Sequence, residues 1–179
     1  MKKLKFLFTA SRASHIENFH MPAINALRQN GHTVDTATEG YVKEGLVDHS
    51  YNLIFQKKIY SPRNIGTINQ LSKIIKSNSY DVIISNTTLA GVITRLTIPK
   101  LKKKPYHIYI CHGYLFNDDN SKKAKLYRRI EKSTSSKIDL LLTMNNDDLE
   151  IAKKYVFCKN IQYLSLIHIS EPTRRRGIS

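Results

Sequence analysis

Short apolar runs alternate with longer helical patterns along the 179 residues, and this alternation limits the fold class more than any other feature. Leu4 to Thr9 is a compact apolar run of the kind found in a strand covered on both faces. Phe19 to Asn30 places Ile24, Leu27 and Arg28 at helical spacing, and Gly31 stops that helix. His32 to Ala37 predicts a second strand and Leu53-Ile54-Phe55 a third. Asn64 to Lys76 is amphipathic, with Ile65, Ile68, Leu71, Ile74 and Ile75 on one face. A strand at Tyr80 to Ser85 follows, then a helix over Leu89 to Leu101 that Pro99 should kink or end. His107 to Cys111 is a strand, Ser121 to Ser133 a basic helix and Ile138 to Thr143 a strand. Asn145 to Tyr155 is a helix with Asp147 and Asp148 in its first turn, where they suit the helix dipole, and Ile161 to Tyr163 begins a last strand. The order predicts an α/β domain: a mostly parallel sheet with helices on both faces.

The composition allows such a core, with 41% hydrophobic and 24% charged residues. No apolar run is long enough to cross a bilayer. The opening Met1-Lys2-Lys3-Leu4 resembles a secretion signal only briefly, since Lys5, Ser11, Arg12 and Ser14 interrupt it; it reads as the first strand of a cytoplasmic protein. Cys111 and Cys158 have no CxxC partner and no nearby ligand cluster, so the sequence supports neither a disulfide framework nor a zinc site. The net charge of +15 points to a polyanion such as nucleic acid, anionic lipid or a phosphate-rich substrate, or else to a solvated basic surface. Residues Leu164 to Arg174, within LSLIHISEPTRRRGIS, read like a translated transposase adapter from a sequencing library. Segment 164–179 is therefore set apart as a non-native tail, and it accounts for only +2 of the charge.

In a parallel sheet, ligands gather at the carboxyl ends of the strands. Three such ends carry chemistry. The first runs Ser11-Arg12-Ala13-Ser14-His15 and on to Asn18-Phe19-His20, with Asn18 as a possible helix cap. It contains neither the G-x-G-x-x-G of dinucleotide folds nor a P-loop. The second, Ser85 to Arg95, offers Asn86, Thr87 and Thr88 for hydrogen bonds or capping, and Gly91 for close packing of helix on sheet. The third, Cys111-His112-Gly113-Tyr114-Leu115-Phe116, sets a histidine directly after a buried strand, followed by a glycine that lets the backbone turn toward a ligand.

Four stretches carry a family resemblance across Lys3 to Tyr163: SHIENFHMPAINALRQNGHTV, YDVIISNTTLAGVITRL, HIYICHGYLF and IEKSTSSKIDLLLTMNNDDLEIAKKY. In order and spacing they resemble the family 4 glycosyltransferases of capsule and exopolysaccharide synthesis. The resemblance implies a Rossmann-like domain, the N-terminal, acceptor-side half of a two-domain GT-B enzyme. Residues 1–163 would form that half, and the donor-binding domain would be missing. It further implies a retaining transfer from a nucleotide sugar to an undecaprenyl-diphosphate-linked saccharide, with no metal and no other cofactor. His112 matches the family histidine expected near the reacting centre. His15, Asn18, His20, Asn86, Thr87, Gly91, Gly113 and Tyr114 are the candidate substrate contacts. Relatives carry His-x-Pro where this chain has Asn86 and Thr88, a departure that bears on Asn86. Glu131 matches a recurrent glutamate with a structural or acceptor-side role. Asp118-Asp119 and Asp147-Asp148 read as a turn and a helix start, not as a metal-binding D-x-D.

Lys122, Lys125, Arg128, Arg129 and Lys132 cluster with Leu126, Tyr127 and Ile130, and Lys100, Lys102, Lys103 and Lys104 form a second basic group. Basic amphipathic surface of this kind attracts anionic lipid, so the enzyme would sit peripherally on the inner face of the cell membrane. Three alternatives stay open: a non-catalytic docking subunit of a split glycosyltransferase, a sugar-nucleotide epimerase, and a nucleic-acid-binding domain. The last has no recognition-helix motif to support it, and no nucleic acid is expected as a partner.

Overall fold

The computed structural model describes residues 2–56, 58–114, 116, 121–156 and 158–164. Its strands are β1 (Lys5–Ala10), β2 (Thr33–Thr38), β3 (His49–Asn52), β4 (Val82–Asn86), β5 (Tyr106–Cys111), β6 (Leu140–Thr143) and β7 (Ile161–Tyr163). Its α-helices are α1 (Ala13–Phe19), α2 (Met21–Gln29), α3 (Asn64–Asn78), α4 (Thr88–Thr97), α5 (Lys122–Thr134) and α6 (Asn146–Tyr155). All seven strands are parallel, in the order β3-β2-β1-β4-β5-β6-β7. The order reverses between β1 and β4, which pair from Phe6↔Val82 to Thr9↔Ser85.

The period of two along the strands divides the core between the faces. Phe6, Phe8 and Ala10 of β1 pack with Ile16 of α1 and Ile24 of α2. Leu7 points the other way, into a layer with Ile83, Leu71 of α3 and Ile93 of α4. Tyr109 and Cys111 join a neighbouring layer with Ala124 and Tyr127 of α5 and Ala152 of α6. Leu7, Ile24, Leu71, Ile83 and Ile93 are fully buried, each stabilising the fold by ~1.5–3 kcal/mol.

Polar groups are buried among these layers in pairs. The Thr9 and Thr94 hydroxyls lie 3.1 Å apart, joining β1 to α4. His107 Nδ1 lies 2.9 Å from the Lys137 carbonyl, which can only accept. That bond puts the proton on Nδ1, so Nε2 accepts from the Ser85 hydroxyl at 2.7 Å. Burial lowers the His107 pKa to about 3, and the ring stays neutral. Arg95 of α4 donates to Glu131 of α5 at 2.8 Å, with both side chains sealed from solvent. The Arg95 guanidinium also lies 4.9 Å from the centre of the Tyr109 ring.

Several elements differ from the expected ones. The third strand is His49–Asn52, not Leu53 to Phe55. Leu53 and Phe55 are buried, but beyond the strand end, where they fill the core below α3. Their hydrophobicity reports burial, while the polar edge strand is held by backbone pairing with β2. The helix expected from Phe19 begins at Met21, and α1 occupies what the sequence suggested was a loop. Pro22 at the start of α2 has no N–H to continue the ladder of α1, so the two helices break at His20. Asn18 consequently lies exposed in the last turn of α1 and caps nothing. Ile65 is exposed, although its spacing placed it on the apolar face of α3. Pro99 ends α4 in a 3₁₀ turn, Ile98–Lys100, as expected. Of segment 164–179 only Leu164 is among the described residues; the rest of it, Leu115 and the Asp118-Asp119 pair lie outside them.

Gly91 is where α4 meets the sheet. A Cβ there would stand 2.8 Å from Cε2 of Tyr109, a ring fixed by Arg95 and its own complete burial. Gly91→Ala should therefore destabilise the fold by about 1–3 kcal/mol. Gly66→Ala, in α3 with open space around it, should be neutral or stabilise by up to about 1 kcal/mol. Guanidinium unfolding of both variants checks the pair, and equal effects would reject close packing at Gly91.

Candidate active site

The carboxyl ends of β1, β4 and β5 are neighbours, and hydrogen bonds join them. The Ser11 amide donates to the Thr87 hydroxyl at 3.4 Å. The Thr88 hydroxyl donates to the Gly113 carbonyl at 3.2 Å. The Asn86 side-chain amide donates to the Thr9 carbonyl at 3.3 Å. Two residues on this rim turn with positive φ, Gly113 at 114° and Thr87 at 66°. Glycine takes that conformation freely, whereas for a β-branched threonine it costs about 1–3 kcal/mol. The three strand-end segments singled out in the sequence therefore form one continuous rim.

Three histidines meet there. His15 comes from α1, His20 from the break between α1 and α2, and His112 from the end of β5. Ring centroids are 4.5 Å apart for His15 and His112, 5.4 Å for His20 and His112, and 5.3 Å for His15 and His20. Phe8 packs against His20 from the sheet side, and Phe19 lies against His15 and His112. The Nε2 atom of each imidazole is buried without a hydrogen-bond partner. Burial lowers all three pKa values. His20 falls to about 3, with the neighbouring His112 and His15 adding to the effect, and His112 falls to about 4, with His15 adding. At neutral pH the cluster is uncharged. Each ring can donate one hydrogen bond and accept another, or exchange a proton, but it supplies no standing charge.

The Glycosyl transferase 4-like family matches this sequence over residues 5–145. The chain belongs to that family. EpsD of Bacillus subtilis (strain 168), named as a glycosyltransferase, is 30% identical over 151 residues, which is 83% of this chain and 40% of EpsD. The chain thus spans well under half of that relative's length. A glycosyltransferase from Rickettsia africae ESF-5 superposes with a TM-score of 0.65 at 15% identity, covering 92% of this chain and 43% of that one. Anabaena Alr3699/HepE, solved with UDP, gives 0.64 at 11%, covering 91% and 43%. A UDP-N-acetylglucosamine 2-epimerase gives 0.61 at 11%, covering 90% and 46%. At these identities the three structures establish a shared fold: a Rossmann-like α/β domain of the kind found in GT-B glycosyltransferases.

In this member of the glycosyl transferase 4-like family, the other candidate residues are distributed as follows. Asn86 is fully buried at the end of β4, with its Oδ1 unpartnered. Thr87 forms the strained turn, and Gly113 the backbone turn after His112. Gly91 lies under Tyr109 as a packing position. The Tyr114 ring is buried in the core beside Phe116, and its amide donates to Asp148 at 3.1 Å. Glu131 is the buried partner of Arg95. Sequence reasoning assigned Asp148 only to the helix dipole. It also accepts from the Asn145 side chain at 2.7 Å and so anchors the turn after β5. Its position three residues after the cap Asn145 was the available signal. Phe19, 61% exposed beside two imidazoles, offers an aromatic wall that the sequence marked only within N-F-H.

The neutral buried imidazoles set a pH dependence of stability. In the unfolded chain each binds a proton near pH 6.5, whereas folded His20 and His107 do so only near 3. As pH falls below 6.5 the unfolded state takes up protons that the native state refuses, and stability is lost progressively down to the folded pKa. Between pH 7 and pH 5 each of these two residues should cost roughly 2 kcal/mol. Guanidinium denaturation at the two pH values measures the loss. Stability that is equal or higher at pH 5 would contradict neutral burial.

Proposed function

We propose that the protein transfers a sugar from a nucleotide sugar to a lipid-linked saccharide, an undecaprenyl-diphosphate-linked acceptor in surface polysaccharide synthesis, with retention of anomeric configuration. The observation that carries this reading is the convergence of His15, His20 and His112 on the carboxyl rim of a glycosyl transferase 4-like domain. Nucleotide-sugar use is supported by the UDP complex of Anabaena HepE, a structure that shares this fold. Surface polysaccharide synthesis is supported by the motif resemblance.

In this scheme, residues 1–163 are the acceptor-side half, and a second domain supplies most of the nucleotide contacts. The share of the relatives that this chain covers, 40% to 46% for EpsD and the three structures named above, supports that division. Segment 164–179 is proposed to be non-native. His112 is the catalytic residue: a neutral imidazole at the rim can hold a hydroxyl of the donor sugar near the reacting carbon. His15, His20 and Thr87 line the approach, while Asn86, fully buried, braces the rim from behind through its bond to the Thr9 carbonyl. Uncharged imidazoles cannot balance a departing diphosphate, so that work falls to charges and helix dipoles of the second domain. The transfer itself uses no metal.

Membrane docking through α5 belongs to the same proposal. Lys122, Lys125, Arg129 and Lys132 are exposed on α5 along with Leu126. Arg128 is half-buried, its guanidinium 5.2 Å from the Tyr155 ring centre, which leaves it a lesser part in docking. No helix among the described residues is long and apolar enough to cross a membrane. A basic surface contributes about 1 kcal/mol of lipid attraction per residue, consistent with peripheral association at the cytoplasmic face of the membrane.

In the full-length protein, His112→Ala should lower kcat/KM for sugar transfer by about a hundredfold or more while circular dichroism stays unchanged. Near-normal transfer would remove His112 from the reaction. Neutralising Lys122, Lys125 and Arg129 together should reduce sedimentation with vesicles rich in anionic lipid, and undiminished sedimentation would reject docking through α5.

A further inference from the structure

His15, His20 and His112 form the one grouping of three or more histidine, cysteine or acidic side chains among the described residues whose potential ligand atoms lie together. One such atom from each residue is within 4.8 Å of the other two. No local spacing announces the set, because His15 and His20 straddle the break between α1 and α2 and His112 arrives from β5. Burial and unpaired nitrogens fit a metal. His20 is only 6% exposed, and its Nε2, like those of His15 and His112, has no partner. A buried imidazole nitrogen left unpaired is costly, and a coordinate bond removes that cost. Phe8 lies against His20, and Phe19 against His15 and His112, which gives the cluster apolar neighbours.

We infer that these three histidines bind a divalent late first-row transition ion, with Zn²⁺ as the test ion, leaving a fourth position open at the rim. Imidazole nitrogens select such ions over Mg²⁺ or Ca²⁺, which prefer oxygen. At a Zn–N distance of about 2.0–2.1 Å, tetrahedral geometry sets the nitrogens ~3.3 Å apart. The rings therefore close by up to about 1.5 Å from their separation here, a movement within reach of side-chain rotation. An ion held here occupies His112, so it competes with sugar transfer; that competition rests on the transfer reading, while binding does not.

The test is made on the full chain in a Cys158→Ser background, which removes the partly exposed free thiol. Zn²⁺ is titrated by calorimetry, and Co²⁺ is added as a spectroscopic probe. The expected result is one ion per chain at micromolar affinity, with the intense visible bands of four- or five-coordinate Co²⁺ and no thiolate charge transfer. His15→Ala and His20→Ala should each weaken Zn²⁺ binding by about tenfold or more. His49→Ala, on an exposed ring at the opposite side of β2 from β1, should leave it unchanged. His20 is buried and its variant could misfold, so His15→Ala, on a half-buried ring, decides alone in that case. Absence of stoichiometric binding, or full-strength binding in a folded His15→Ala protein, overturns the site.

Discussion

Parallel pairing of β1 with both β2 and β4 is the constraint from which the rest of the molecule follows. Because every strand runs the same way, every connection must return along a face of the sheet, which is why helices cover both sides. All carboxyl ends then lie on one edge. The reversal of strand order between β1 and β4 separates the connections there, so helices depart in opposite directions and leave the edge accessible. The histidines enter at that place, one pair from the connection after β1 and one from the end of β5.

Much of this was legible from periodicity. The strands at β1, β2, β4, β5, β6 and β7, and the bodies of α2 through α6, follow from apolar spacing, with Gly31 and Pro99 acting as stops. The misses have local causes. β3 is a polar edge strand whose stability comes from its neighbour's backbone, a term no single-segment pattern contains. α1 is short and carries little apolar periodicity, and only Pro22 marks where it must end. For the site, each rim segment was identifiable by its position after a strand. Their convergence was not, because it depends on strand order, and His15 and His112 are almost a hundred positions apart in the chain. Thr87 illustrates the remainder: its positive φ comes from the geometry of the β4–α4 turn and has no counterpart in its residue type.

The electrostatics of the chain are divided spatially. Among the described residues no lysine is buried, and α5 presents Lys122, Lys123, Lys125, Arg129 and Lys132 to solvent. The rim is built from neutral imidazole rings set beside Phe8 and Phe19. A site of this kind recognises hydroxyls and lone-pair acceptors by direction of hydrogen bonding. The long-range field of the surface serves approach and orientation instead. Total charge therefore says little about the chemistry of the cleft.

Arg95 and Glu131 join α4 to α5 in a region with no solvent to compensate either charge. Removing one partner strands the other as an ion in a low-dielectric interior, at a cost of about 3–5 kcal/mol, although an apolar pair of equal volume can be tolerated. The two positions are thus coupled across mutational space. A drifting lineage would have to cross a valley through either single change, so this pair should persist as a unit.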